Sequence, residues 1–255
     1  MYSDIASSSL RELDAVALAT NVMVFMGRGT GDALLVFSRY PRLGAVKTRL
    51  ESFLTPEGCL QLHEALLLDT LDRTACLSVT RYLFLSDCSQ GERNLFVQEH
   101  NLPKAIQVHH QQGKDLGERM WNAYEIVSRD SDRVVLLGID SPSLPLAHIQ
   151  EALEKLSRFP VVIGPVEDGG YSLLALSEPR KELFESMSWG TDLVLQETLD
   201  KLATDECFLL PCWYDVDTPA DLRRLKKDLK SDLEGFPKRT HEFLESLSIG
   251  RKKKR

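Results

Sequence analysis

No stretch of this chain approaches the ~18 consecutive apolar residues that a membrane-spanning helix needs. The nearest candidate, Ala15–Met26, follows Asp4, Glu12 and Asp14, acids that a secretory signal does not usually carry ahead of its apolar core. Cysteine is sparse: Cys59, Cys76, Cys88, Cys207 and Cys212 make no C-x-x-C pair and no zinc spacing. An odd, scattered set suits a reducing compartment, so a cytoplasmic setting is expected. The six histidines show no metal-ligand spacing. There is no G-x-x-x-x-G-K-[ST], which excludes a P-loop NTPase, and no G-x-S-x-G nucleophile elbow. Gly27-Arg28-Gly29-Thr30-Gly31 has glycines at alternate positions but precedes the first strand, where a dinucleotide fingerprint would follow it. Internal repeats and long linkers are missing too, which favours one domain over two.

What is present is a 255-residue chain, 43% hydrophobic, long enough to bury a sizeable core in one α/β domain. Its net charge of −7 makes any local cluster of cations informative and argues against nucleic-acid binding. Such a cluster stands in LLVFSRYPRLGAVKTRL, Leu34 to Leu50, where an apolar run breaks into a loop carrying Arg39, Arg42, Lys47 and Arg49 with no acid among them. A cationic loop at the carboxyl end of a first buried strand is where α/β proteins grip phosphate.

Strand and helix signals alternate from there. Ala33–Ser38, Arg81–Ser86, Ile106–His109, Arg133–Ile139, Val161–Gly164, Tyr171–Leu176 and Cys207–Leu210 read as strands, Arg133–Ile139 being the best central one. Thr55-Pro56-Glu57 starts a helix with Leu60, Glu64, Leu67 and Leu71 on one face. Further helices are expected over Leu116–Val127, Pro145–Leu156 and Thr191–Leu202, and from Thr218-Pro219 to about Lys230. The pattern predicts an α/β fold, a three-layer α/β/α sandwich around a mostly parallel sheet. The transferase-like domain is expected over residues 32–232, after a helical or loose extension over 1–31. Met23 and Met26 are alternative starts within that extension. A C-terminal extension over 233–255 ends in the basic run Arg251–Arg255.

Two acids stand at strand ends: Asp140 in GIDSPSLP and Asp217 in YDVDTPADL. Strand C-termini of an open parallel sheet share one rim, so both can meet the cationic loop there. Two carboxylates opposite several cations suit a phosphate held through Mg²⁺ or Mn²⁺. Glu167-Asp168-Gly169-Gly170 is either an ordinary hairpin turn or an acceptor loop, its glycines letting backbone approach a ligand and an acid serving as general base. Gly117 and Arg119, opening a helix after Gly113-Lys114-Asp115, are candidate nucleotide contacts, and Trp189 is a candidate stacking surface.

FSRYPRLGAVKTRL, LGIDSPSLP, GPVEDGGYSLLAL, SWGTD and WYDVDTPADL occur in that order. On these motifs the chain resembles, over about residues 33–228, the bacterial glycosyltransferase-like family named radical-SAM/selenodomain-associated transferase 1, or arsenosugar biosynthesis glycosyltransferase. The family is similar to nucleotide-diphospho-sugar transferases of GT-A fold and to the guanylyltransferases for molybdenum cofactor and phospholactate. The resemblance implies nucleotide-phosphate contacts at Arg39, Lys47 and Arg49, metal ligation by Asp140 and Asp217, and an acceptor-side loop at Asp168 and its glycines. The chain departs from classical nucleotidyltransferases in lacking an Ala-Gly-Gly run after strand one, and from many sugar transferases in carrying Asp140-Ser141 where they have D-x-D.

The expectation is a metal-dependent transferase using a nucleotide-sugar donor and a small-molecule acceptor. Asp140, Asp168 and Lys47 would carry catalysis. Arg39, Lys47, Arg49, Gly117 and Arg119 would bind the nucleotide, and Glu167, Gly169, Gly170 and Trp189 the acceptor. The alternative is a nucleotidyltransferase joining a nucleoside triphosphate to a phosphorylated acceptor with release of pyrophosphate, since several loop cations suit a triphosphate. A non-catalytic nucleotide-binding module is the third reading, and the oligomeric state, a homodimer included, stays open.

Overall fold

Seven strands build the sheet in the computed structural model, which describes residues 31–229 and 237–251. The expected extension before Gly31 and most of the Arg251–Arg255 run lie outside these residues. The strands are β1 (Asp32–Arg39), β2 (Thr80–Ser86), β3 (Ile106–His110), β4 (Arg133–Gly138), β5 (Val161–Pro165), β6 (Tyr171–Leu176) and β7 (Cys207–Leu209). Their order across the sheet is β3-β2-β1-β4-β6-β5-β7. Among the described residues only β6 runs antiparallel, because the tight turn after β5 sends it back between β5 and β4.

The helices are α1 (Pro56–Arg73), α2 (Gln90–Glu99), α3 (Leu116–Val127), α4 (Leu146–Lys155), α5 (Val194–Leu199), α6 (Pro219–Asp228) and α7 (Lys238–Arg251). Strand alternation splits the core in two. Leu34, Val36, Leu83, Val135 and Leu173 face α1, α4 and α6. Leu35, Phe84, Leu136 and Leu174 face α3 and the segment carrying Phe184. The α/β/α layering therefore follows from a two-residue period laid over buried strands.

Three sequence expectations change. Helix α1 buries far more than one stripe, Leu62, His63, Leu66 and Thr70 included, because α7 covers the side that the sheet does not. The helix expected over Thr191–Leu202 is cut to α5, since residues 188–193 form turns around Gly190, whose φ is +80°. Helix α2 was not expected, although Ser89 and Glu92 form a capping box at its start. Within the expected C-terminal extension, α7 packs Leu244 into the α1 side of the core. Its first turn is held by Asp69 of α1, whose buried carboxylate accepts the Arg239 and Thr240 amide N–H groups at 3.0 and 2.8 Å.

Candidate active site

The chain leaves β1 in one direction toward β2 and β3, and β4 lies on the other side, so the C-terminal ends of β1 and β4 flank a topological switch point. The loop after β1 is aimed into it by its own apolar residues. Val46 and Leu50 are buried anchors, Gly44 takes φ +72°, and Lys47 between the anchors adopts a left-handed φ of +50°. That turn drives the Lys47 side chain inward until 5% of it is exposed. Its ammonium lies 2.6 Å from Asp140 Oδ1 and donates to Asp217 Oδ1 at 2.9 Å and the Val216 carbonyl at 2.8 Å, so its three protons meet three acceptors. Burial works against the charge of Lys47, but the two carboxylates outweigh it and raise its pKa above the ordinary lysine value.

Asp140 follows β4 and is held from several sides. Its carbonyl accepts the Val216 N–H at 2.8 Å, which ties the β4 exit to the segment before α6. The Arg73 guanidinium of α1 donates to the Pro142 and Leu144 carbonyls just beyond. Burial raises the Asp140 pKa, yet Lys47, with smaller help from His63 and Arg39, brings it below the usual carboxylate range. Asp215 behaves oppositely. Burial first, then the charges of Asp140 and Asp168, push its carboxyl up to about 7, against the hydrogen bond donated by the Ser141 hydroxyl.

Beneath these groups the strand ends are laced together. His63 Nε2 lies 3.2 Å from Ser38 Oγ and 3.0 Å from the Arg39 carbonyl. Burial lowers its pKa, so it stays neutral near pH 7. The Gln111 amide donates to the Ser38 and Phe84 carbonyls at 3.0 and 2.9 Å, closing β1 against β2.

The resulting cleft has a volume of about 760 Å³. Of the residues nominated from sequence, Arg39, Lys47, Arg49, Arg119, Asp140, Asp168, Gly170, Trp189 and Asp217 line it. Others do not. Glu167 turns to Arg224 at 2.6 Å, and Arg42 turns to Glu92 at 2.7 Å. Gly117 and Gly169 are packing positions: a Cβ on Gly117 would lie 2.0 Å from the Phe184 carbonyl oxygen, and one on Gly169, 2.2 Å from that of Asp192. These two glycines set how close α3 and the β5–β6 turn come to the 184–192 segment, and so act on the site from behind. Lys47, expected to bind phosphate, is instead saturated by protein acceptors.

Sequence reasoning missed Asp215, Ser172 and Asp192, all of which line the cleft. Asp215 had a legible signal: Asp215-Val216-Asp217 is itself a D-x-D, and with Val216 fully buried between them both acids reach the cleft. Among the described residues no group of three or more His, Cys, Asp or Glu is placed to hold a metal ion by itself. The donor chemistry nevertheless suits a hard cation completed by ligand phosphates. Asp217 gives one oxygen to Lys47 and the other to Arg49 at 3.4 Å. Asp140 and Asp215 each keep one oxygen without a hydrogen bond among the described residues.

The family model described as "Uncharacterized protein conserved in bacteria (DUF2064)" matches residues 70–191. A crystal structure from Desulfovibrio desulfuricans G20, provisionally named a nucleotide-diphospho-sugar transferase, is 31% identical with a TM-score of 0.78, over 86% of this chain and 95% of that one. The 2-phospho-L-lactate guanylyltransferase of Methanobrevibacter ruminantium is 24% identical over 213 residues, 80% of this chain and 86% of that protein. The 4-diphosphocytidyl-2C-methyl-D-erythritol synthase of Anaerococcus prevotii shares the fold at 12% identity and a TM-score of 0.52, over 79% of this chain and 97% of that one.

Proposed function

From the match to the DUF2064 model over residues 70–191 and the likeness to the Desulfovibrio protein, we propose that the chain is a metal-dependent transferase that moves a glycosyl group from a nucleotide sugar to an acceptor hydroxyl. The observation that carries this reading is that Arg39, Arg49 and Arg119 line one cleft with Asp140, each keeping guanidinium nitrogens beyond its own contact to the protein. Guanidinium forks in that position suit the diphosphate of a nucleotide sugar. The likeness to the Desulfovibrio protein supports the same donor class.

In this reading Lys47 is a positioning residue that fixes Asp140 and Asp217 in one orientation. Asp140 and Asp215, with their open oxygens, would hold Mg²⁺ or Mn²⁺. The bound ion supplies charge neutralisation for the departing diphosphate. Asp168, at the lip of the cleft, accepts the acceptor's hydroxyl proton while that oxygen bonds to the anomeric carbon and the bond from this carbon to the diphosphate oxygen breaks.

Nucleotidyl transfer is the second reading, favoured by the likeness to the guanylyltransferase along most of both chains. A thermal-shift panel of nucleotide sugars and nucleoside triphosphates, with and without Mg²⁺ or Mn²⁺, tests the ligand class. Metal-dependent stabilisation by nucleotide sugars is expected, and its absence for every nucleotide would remove both readings. Asp140→Asn should keep the fold and lose about 10²–10³ in turnover.

A further inference from the structure

We propose that the acceptor used by this site is an uncharged alcohol with an apolar body, carrying neither phosphate nor carboxylate. The proposal rests on the transferase reading above and names the substrate class of its second half.

The starting observation is the Ser172 hydroxyl. Ser172 is 7% exposed, its Oγ is closed off from solvent, and it has no hydrogen-bond partner among the described residues. Leaving a buried hydroxyl unpaired is costly, which is why nearly all such groups find a partner. Ser172 lines the cleft at the start of β6, one residue from Leu173, which pairs with Leu137 of β4. This places it beside Gly138, which stands two residues before Asp140 and where an added Cβ would lie 3.7 Å from the Ser172 carbonyl oxygen. A ligand hydroxyl entering the cleft would give Ser172 its missing partner.

The surroundings define the rest of the ligand. Leu136 and Leu174 of the sheet, Met120 of α3 and Val194 of α5 line the same recess, so the body that follows the hydroxyl meets hydrocarbon. The turn that leads into Ser172 carries Asp168, and Asp192 packs against its Gly169. The cleft's cations are Arg39 and Arg49 on the β1 loop and Arg119 on α3, whose Nε is tied to the Gly113 carbonyl of the loop after β3 at 3.2 Å. A phosphate on an acceptor whose hydroxyl reaches Ser172 would meet the carboxylates of Asp168 and Asp192, an unfavourable placement even when partly screened by solvent. In the transfer itself the alcohol oxygen bonds to the anomeric carbon, the nucleoside diphosphate leaves with the former bonding pair, and the hydroxyl proton passes to Asp168.

The test uses the full chain with Mg²⁺ and a nucleotide sugar that it turns over. Hexane-1,2-diol, glycerol and glycerol 3-phosphate are offered separately at matched ionic strength, and glycosides are counted by mass spectrometry. Hexane-1,2-diol should be glycosylated fastest, and glycerol 3-phosphate at least about tenfold more slowly than glycerol. Ser172→Ala should raise KM for hexane-1,2-diol about tenfold, the loss of one hydrogen bond to a buried group, with donor KM held within about twofold. Asp192→Asn, at an exposed position, should narrow the gap between glycerol and its phosphate. Equal or faster use of glycerol 3-phosphate, donor consumption with no glycoside of either alcohol, or an unchanged KM in Ser172→Ala overturns the proposal. Pyrophosphate release from a nucleoside triphosphate, with no nucleoside diphosphate formed from any nucleotide sugar, would instead overturn the transferase reading beneath it.

Discussion

Lys47 is a buried charge whose three partners, Asp140, Asp217 and the Val216 carbonyl, all belong to the protein. Replacing it with Met leaves Asp140 and Asp217 facing each other with only the more distant charges of Arg39 and the exposed Arg49 to offset them. A fully buried pair broken this way costs about 3–5 kcal/mol, but Asp140 and Asp217 are 45% and 34% exposed to the cleft. The expected loss at pH 7 is therefore about 1–3 kcal/mol, read by urea denaturation. Because the folded Asp140 pKa is depressed, this contribution exists above the unfolded carboxylate pKa and disappears as pH falls through the depressed value. The destabilisation by Lys47→Met should accordingly shrink in acid; an equal loss at pH 3 and pH 7 would show that packing, and not charge, is responsible. Asp215 carries the opposite sign. Its folded pKa, raised to about 7, makes ionisation destabilising as pH rises through that value. In the presence of chelator, Asp215→Asn should raise Tm by a few degrees at pH 8 and by little at pH 5. Arg49, 71% exposed, should act through screened charge alone, so Arg49→Ala should weaken nucleotide binding several-fold in low salt and much less at 1 M. At this scale the sequence made legible the residues that stand alone at strand ends, Arg39 and Asp140. It did not reveal that Lys47 would be spent on protein acceptors, since that depends on a left-handed backbone turn and on a contact 170 residues along the chain.

Strands and helices were legible wherever a local signal coincided with burial. Helix α3 and strand β6 were read from sequence with their observed ends, because Asp115 caps one and the Gly169-Gly170 turn opens the other. Helix α2 escaped because its apolar residues are few and only Phe96 among them is buried, even though its capping box is present. Helix α7 escaped because its stability comes from α1. Asp69→Ala would leave the Arg239 and Thr240 amides without their acceptor and should cost about 2–3 kcal/mol, seen as a lower Tm and faster proteolysis near α7. Unchanged protection of α7 would mean that its packing alone suffices. Of the glycines that read as ligand contacts, Gly117 and Gly169 stand where two elements pack too closely for a Cβ, while Gly170 lines the cleft. Gly169→Ala, at φ +87° and against the Asp192 backbone, should displace the β5–β6 turn and lower transfer at least about tenfold while leaving nucleotide binding nearly intact.

The whole molecule divides its labour across the switch point. The β3-β2-β1 half carries the guanidinium groups of Arg39 and Arg49. The β6-β5-β7 half carries Asp168, Asp192 and the recess with Ser172. Asp140 stands between them. In the proposed reading this division would give a donor and an acceptor different places to bind and bring them together over one carboxylate. The sheet order that creates this crossing is set by long-range pairing, so the sequence could nominate its two walls but not their separation. The most direct test of the account is ³¹P NMR of the full chain incubated with Mg²⁺, nucleotide sugars and nucleoside triphosphates in the presence of hexane-1,2-diol. The account predicts nucleoside diphosphate released from a nucleotide sugar with no pyrophosphate; pyrophosphate released from a nucleoside triphosphate, with every nucleotide sugar untouched, would contradict it.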